Sequence, residues 1–434
     1  MRVRRQSVRM WWERTFWPLP LAGMVVAFLL QDLTVTIDES LADLEGSIIS
    51  PAAALTLLAA VGGGMVTFTG FVFSVILLML QYGSATYSPR SVSYFLRLRR
   101  TQLVLAAFLG TITFSFLALV EVGSGGRDAF APVASVAVCV SLLLVSLIGF
   151  LALIQGVGST LKVDGLLSAW GRMAQRQLSR QAMANHGDAA PPEPDADGPA
   201  DGRAAHGEPP DLDAGRGALV IRHPGRTGQV VAIDGAHLGR LARRAGSEVV
   251  LLVRLGDGVG PGTAVARVHG PPVPPRHVAR CVLVAPERSL VHDPLYAVRL
   301  LTDVSLRALS PAVNDPTTAV RSLHEIEDVL RTAAARELGT VRIAAGAGSV
   351  TLPGATWDDV VDLCLLEVVE VSTGQPQVVR RLTALLRDLL DDVPEHRRAP
   401  LRRYLTRLEA AVHDAGHDPD VWLRRDRQGV GGGR

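Results

Sequence analysis

Lysine is almost missing from this chain. Lys162 stands alone among 434 residues, and the rest of the basic charge is arginine. A lysine Schiff base or a lysine-linked cofactor therefore has one candidate position. Cysteine is nearly as scarce: Cys139, Cys281 and Cys364 lie far apart in apolar surroundings, and no two have metal-ligand spacing. They read as buried, reduced thiols. An excess of either charge is also absent, since the net charge is only +2, so nothing global points to nucleic acid. No Gly-x-Ser-x-Gly, His-Glu-x-x-His, kinase, P-loop or Rossmann signature occurs. Without a nucleophile and base to pair, the sequence points away from an enzyme and toward no cofactor.

Apolar residues make up 48% of the chain, yet 20% is charged, which implies two unlike parts. A membrane helix needs about 20 mostly apolar residues. Four N-terminal stretches meet that: Phe16 to Leu33, Pro51 to Leu80, Leu103 to Val122 and Pro132 to Ile154. The first is followed by Gln31-Asp32-Leu33-Thr34 rather than a small-x-small cleavage site, and so reads as a retained span. Arginines set the orientation. They crowd the N-terminal segment (Arg2, Arg4, Arg5, Arg9, Arg14) and the loop between spans two and three (Arg90, Arg97, Arg99, Arg100). Basic residues also follow span four (Lys162, Arg172, Arg176, Arg180). The loop from Asp32 to Ser50 carries Asp38, Glu39, Asp43 and Glu45 and no basic residue. The expectation is a multi-pass protein of the bacterial cytoplasmic membrane, with both the N-terminus and the C-terminal domain in the cytoplasm. Trp11, Trp12 and Trp17 supply an aromatic belt for the first span.

The second span is long for a bilayer: about 30 apolar residues make a helix of ~45 Å, against a hydrocarbon core of ~30 Å. Gly62, Gly63 and Gly64 fall inside it, so it either tilts and protrudes or breaks there. Gly63, Thr67, Gly70, Ser74 and Gln81 recur at helical spacing and make one small, polar face. The third span has a similar face of Gln102, Ala106, Gly110 and Thr113. Such faces serve close helix packing or line a polar path. No Asp, Glu, Lys, Arg or His lies mid-span, which argues against a proton- or ion-coupled carrier and leaves a passive channel open.

After the spans, segment 158–184 reads as an amphipathic juxtamembrane helix, and 185–217, rich in Ala, Asp, Gly and Pro, as a disordered linker. Segment 218–285 turns to β-type runs, such as Leu219-Val220-Ile221 and Val249 to Val253, separated by glycine turns. The step Gly256-Asp257-Gly258-Val259-Gly260-Pro261-Gly262 resembles the turn of biotinyl- and lipoyl-type barrels. The module has no lysine to carry a cofactor, so a small structural barrel is expected. Segment 286–420 reads as mainly helical, with Asp315 as N-cap and Pro316 at the first helical position, and 421–434 as a frayed tail. The fold class expected is thus a membrane α-helical part with about four spans, followed by a soluble α+β region: a small β-barrel-like module and a helical domain.

Two stretches carry a resemblance. One contains Gln81, Ser84, Tyr87-Ser88-Pro89-Arg90 and Phe95. The other contains Asp293, Leu300, Asp303, Arg307-Ala308-Leu309-Ser310-Pro311 and Asn314-Asp315-Pro316-Thr317-Thr318-Ala319. Together they resemble an uncharacterised family of predicted bacterial multi-pass membrane proteins, a domain of unknown function. The resemblance implies a membrane location and a single architecture from the first span to about Leu390, and no activity. Ser88-Pro89-Arg90, at the cytoplasmic end of the second span, is a candidate to dock against the Asn314 turn. His292, Asp293, Asp303, Asn314 and Asp315 offer oxygens for a cation, or alternatively helix caps and surface ion pairs. Two functions follow as expectations. The first is an oligomeric ion channel or pore, built from copies of the chain in the bilayer and regulated by its cytoplasmic domain. The second is a membrane sensor or scaffold, without transport, whose cytoplasmic domain binds a ligand or protein.

Overall fold

The structure, a computed structural model, describes residues 17–41, 50–86, 99–124, 132–160, 163–186, 218–290, 292–424 and 426. The chain divides into two compact units, Met1–Gly165 and Leu166–Arg434.

Among the described residues of the first unit, four helices are long and apolar enough to cross a membrane. They are α1 (Pro18–Leu41), α2 (Pro51–Thr86), α3 (Arg99–Ser124) and α4 (Val133–Thr160). α3 is the hub, packed against all three others. Its crossing with α1 is set by glycine. A Cβ on Gly23 would lie 2.2 Å from the Ala106 carbonyl oxygen, and one on Gly110 would lie 3.1 Å from the Gly23 carbonyl oxygen. The face of Gln102, Ala106, Gly110 and Thr113 on the third span therefore contains the contact with α1, so packing accounts for it. α3 meets α4 through hydroxyls: Thr111 and Ser146 lie 2.9 Å apart, and Ser115 lies 3.4 Å from Cys139.

α2 runs unbroken through Gly62, Gly63 and Gly64 for 36 residues, so the glycines do not split the span. Gly62 faces Ser115 and Phe116 of α3, whereas a Cβ on Gly63 or Gly64 would meet nothing within 4 Å. α1 likewise outlasts its apolar run. The acidic stretch expected to be loop is helical as far as Leu41, and it carries Asp38 into the bundle. That carboxylate is fully buried and accepts from the backbone N–H groups of Ala134 (2.7 Å) and Ser135 (3.0 Å) and from the Ser135 hydroxyl (2.7 Å). Asp38 thus caps the start of α4 from another helix. It satisfies N–H groups that a helix start leaves open and sets a negative charge against the positive end of the helix dipole.

The second unit contains α5 (Val163–His186, from Leu166 on), two sheets and a helical bundle. Its strands are β1 (Leu219–Arg222), β2 (Gly228–Ile233), β3 (Glu248–Leu251), β4 (Gly258–Val259), β5 (Ala264–His269), β6 (Val282–Ala285), β7 (Val341–Ala345) and β8 (Gly348–Leu352). Helix α6 (Gly235–Ala245) follows β2, and α7 (Pro275–Ala279) follows β5. The expected barrel is not closed. The strands form a five-stranded sheet in the order β1-β5-β3-β8-β7 and a three-stranded sheet in the order β4-β2-β6. Nor does the β region end near residue 285. The β7–β8 hairpin, from within the segment expected to be helical, joins β3 in parallel, with Glu248 opposite Ser349 and Val249 opposite Val350. One core of α6 and strand residues, among them Val249, Leu251, Val265, Val268 and Val350, seals both contributions.

The bundle consists of α8 (Pro294–Ala308), α9 (Pro316–Ala334), α10 (Trp357–Val371), α11 (Pro376–Asp392) and α12 (Arg398–Asp414). A short α13 (Pro419–Trp422) occupies the start of the expected frayed tail. The expected linker falls, from residue 187 on, outside the described residues, as does most of the tail. All three cysteines are free and buried. Burial, reinforced by Asp234, pushes the Cys281 thiol up to about 12, and burial raises Cys364 as well. Inside the bundle, Arg381 is 2% exposed and pairs with Glu327, whose other oxygen takes Arg331 at 2.7 Å.

Two outcomes test this packing. Asp38→Ala lowers the stability of the purified protein by about 1–2 kcal/mol, the size of a lost helix cap; Asp38→Asn, which keeps an acceptor, loses less, as thermal unfolding in detergent will measure. Glu327→Gln strands the Arg381 charge and costs about 3–5 kcal/mol, whereas the paired change Glu327→Leu/Arg381→Met recovers most of it.

Candidate functional site

The small face of α2 points away from the other described helices of its chain. Gly63, Thr67, Gly70, Ser74 and Gln81 are all exposed, and Cβ atoms on Gly63 and Gly70 would meet nothing within 4 Å. The hydroxyls are satisfied inside the helix: Thr67 donates to the Gly63 carbonyl (3.3 Å) and Ser74 to the Gly70 carbonyl (3.0 Å). Pairing of these residues with α3 or α4 of the same chain is thereby excluded as the reason for the stripe. Two small-xxx-small steps, Gly63 to Thr67 and Gly70 to Ser74, offer the geometry that lets helix backbones approach closely.

The remaining motif residues are distributed along one helical hairpin. Ser88-Pro89-Arg90, and with it the proposed docking onto Asn314, lies outside the described residues. Asp293 is fully buried at the start of α8, where it accepts from the Tyr296 backbone N–H (3.2 Å) and from Arg288 Nε (2.7 Å). Asp303, mid-helix, takes Arg299 Nε at 2.7 Å. Arg307 sits in the last turn, where a cation suits the negative end of the dipole. The Ser310 hydroxyl donates to the Arg307 carbonyl (2.7 Å), and Pro311 follows the last helical turn. Asn314 then adopts a left-handed φ of 46°, which asparagine tolerates better than most residues. Gln375 Nε2 donates to its side-chain oxygen at 2.6 Å. Asp315 caps α9 through Thr318 (backbone N–H, 3.1 Å; hydroxyl, 2.5 Å), and Pro316 takes the first helical position.

Asp293 and Asp315 therefore stand at opposite ends of α8, separated by about 22 Å of helix. The oxygens of these residues do not converge on one point, and no group of three or more potential metal ligands occurs among the described residues. The oxygens serve as caps and ion-pair partners instead.

Sequence reasoning missed a cavity of about 330 Å³ inside the second unit. Gln177 and Arg180 of α5 form one wall, and the start of α8 at Asp293, Pro294 and Leu295 another. Ile233, Leu255, Val341 and Leu352 line the rest, with Arg254 at its side. Gln177 is 92% buried; its amide nitrogen donates to the Leu290 carbonyl, while Oε1, itself shut off from solvent, meets no donor among the described residues. Burial works against the charge of Arg254, but Asp359, at 2.8 Å, and Asp257 outweigh it and hold the guanidinium above its ordinary pKa. The only trace of this site in the sequence was the amphipathic stretch that became α5.

The DUF2254 family model, described as a predicted membrane protein, matches residues 13–388. Among curated proteins, the uncharacterized protein Rv1290c of Mycobacterium tuberculosis is 28% identical over 424 aligned residues, covering 94% of this chain and 77% of its own. The uncharacterized protein Mb1321c of Mycobacterium bovis is similar to the same extent. No solved structure matches the chain. With four apolar helices, an α+β second unit and a family match over most of its length, the chain belongs to the DUF2254 family of predicted membrane proteins.

Proposed function

We propose that this membrane protein works as an oligomeric channel, in which the small polar faces of α2 from several copies surround a shared axis in the bilayer. The observation that carries this reading is the outward stripe of Gly63, Thr67, Gly70 and Ser74, which meets no partner among the described residues of its own chain. A face built for lipid alone has no need of repeated glycine and hydroxyl residues, whereas a face that meets another helix gains from both. With no acidic or basic residue mid-span, passage is passive and not coupled to protons. The arginine distribution supports an N-terminus and second unit on the cytoplasmic side of a bacterial membrane, from where the second unit would regulate the pore. A sensor without transport is the second reading, and the cavity beside α5 favours it.

Liposome reconstitution separates the two. The full chain should pass K⁺, Na⁺ or Cl⁻ in a flux assay, and Thr67→Leu/Ser74→Leu, inserted to the same extent, should abolish the flux. A correctly inserted wild-type protein that passes no ion across varied pH, voltage and divalent cations sinks the channel and leaves the sensor.

A further inference from the structure

We infer that the outer sides of α6 and α7 form one basic surface that docks the second unit onto anionic lipid headgroups. The inference rests on the chain's membrane anchorage and not on a pore. Val249 of β3 and Val268 of β5 stand opposite each other and so project from one face of the five-stranded sheet. The core on that face contains Leu238 and Ala242 of α6 together with Val278 of α7. The two helices therefore cover the same face of the sheet, α6 over β3, β7 and β8 and α7 over β1 and β5. Their outward sides look the same way.

Those sides carry charge of one sign. Arg243 and Arg244 near the end of α6, Arg276 on α7 and Arg280 just after it are exposed, and Arg240, one turn before Arg244, is partly so. No Asp or Glu occurs from Gly235 to Ser247 or from Gly270 to Pro286. None of the five arginines forms an ion pair among the described residues. The acids that border these segments are engaged elsewhere: Asp234 caps α6, accepting from the His237 backbone N–H at 2.8 Å, and Glu248 pairs with Arg342 at 3.2 Å. The helical bundle of the same unit treats arginine differently. There Arg299, Arg331, Arg381, Arg398 and Arg403 each face a carboxylate. An arginine-rich composition by itself does not explain why α6 and α7 alone lack the acids.

Like charges held together without a counter-charge repel one another, and a polyanionic surface removes that cost. Guanidinium suits phosphate in particular, because its forked N–H donors match two phosphate oxygens. A bilayer is the polyanion always within reach. α4 ends at Thr160, and α5, which enters the second unit at Leu166, starts at Val163, so the unit stays tethered to the membrane. Each basic residue near an anionic leaflet then favours docking by about fivefold.

The test uses the full chain in nanodiscs of phosphatidylcholine, with or without phosphatidylglycerol, that contain a headgroup nitroxide. Ala236→Cys, exposed on α6, carries a fluorophore; the native thiols are buried and do not compete for it. Quenching should be strong with phosphatidylglycerol and weak without it. It should also weaken in about 1 M salt, where charges are screened beyond about 3 Å. Changing Arg243, Arg244, Arg276 and Arg280 together to Gln should lower the ratio of docked to undocked protein by about a hundredfold or more, whereas the same four changed to Lys should keep most of it. Quenching that ignores phosphatidylglycerol, or that the Gln variant retains, overturns the proposal. So does a wild type that shows no lipid-dependent quenching but binds duplex DNA through these arginines. Docking with the expected signatures in a protein that conducts no ion keeps this surface and removes only the pore.

Discussion

Asp293 holds the second unit together. Its carboxylate starts α8, neutralises Arg288 and lies against the turn that ends in β4: a Cβ on Gly256 would fall 2.6 Å from both the Asp293 and Arg288 side chains. Gly256 also carries a φ of +90°, so both its backbone and its surroundings demand glycine. Arg288 in turn lies over the Tyr296 ring, 5.2 Å from its centre. Sheet, connecting segment and bundle thus meet at one buried charge. Hydrogen bonds from Arg288 and a backbone N–H are what make that burial tolerable. The cavity opens beside this junction because three elements converge there without filling the space between them.

The same economy governs the first unit, where the start of α4 leaves backbone N–H groups that need acceptors. Asp38 reaches from α1 to the start of α4, and the hydroxyls of α2 turn back onto their own helix. α3 then serves as the post against which α1, α2 and α4 are placed, and glycine decides how near α1 can come.

Signals local in sequence were legible from the residues alone. Apolar length gave the spans, and Asp315-Pro316 gave the start of α9, since a cap and a ring-fixed φ act on adjacent residues. Asp38 was misread as loop because acidic composition signals an end to the span, whereas here a partner helix offers three donors that repay its burial. The barrel was misread because the Gly256 to Gly262 turn fixes only a local step. What closes or opens a sheet is the partner of its edge, and β8 reaches β3 from about a hundred residues away. Gln177 looked like any polar residue on an amphipathic helix, since nothing within α5 announces the Leu290 carbonyl that pins it.

The back-bonded hydroxyls of α2 carry a further implication. Because Thr67 and Ser74 are already satisfied by their own backbone, their face owes nothing to a neighbour and suffers little when lipid takes the neighbour's place. Association through it, as the proposed channel requires, would then be a competition between protein and solvent lipid, governed by mass action in two dimensions. The population of assembled copies would follow the protein-to-lipid ratio of the membrane, so that abundance itself would control the proposed pore.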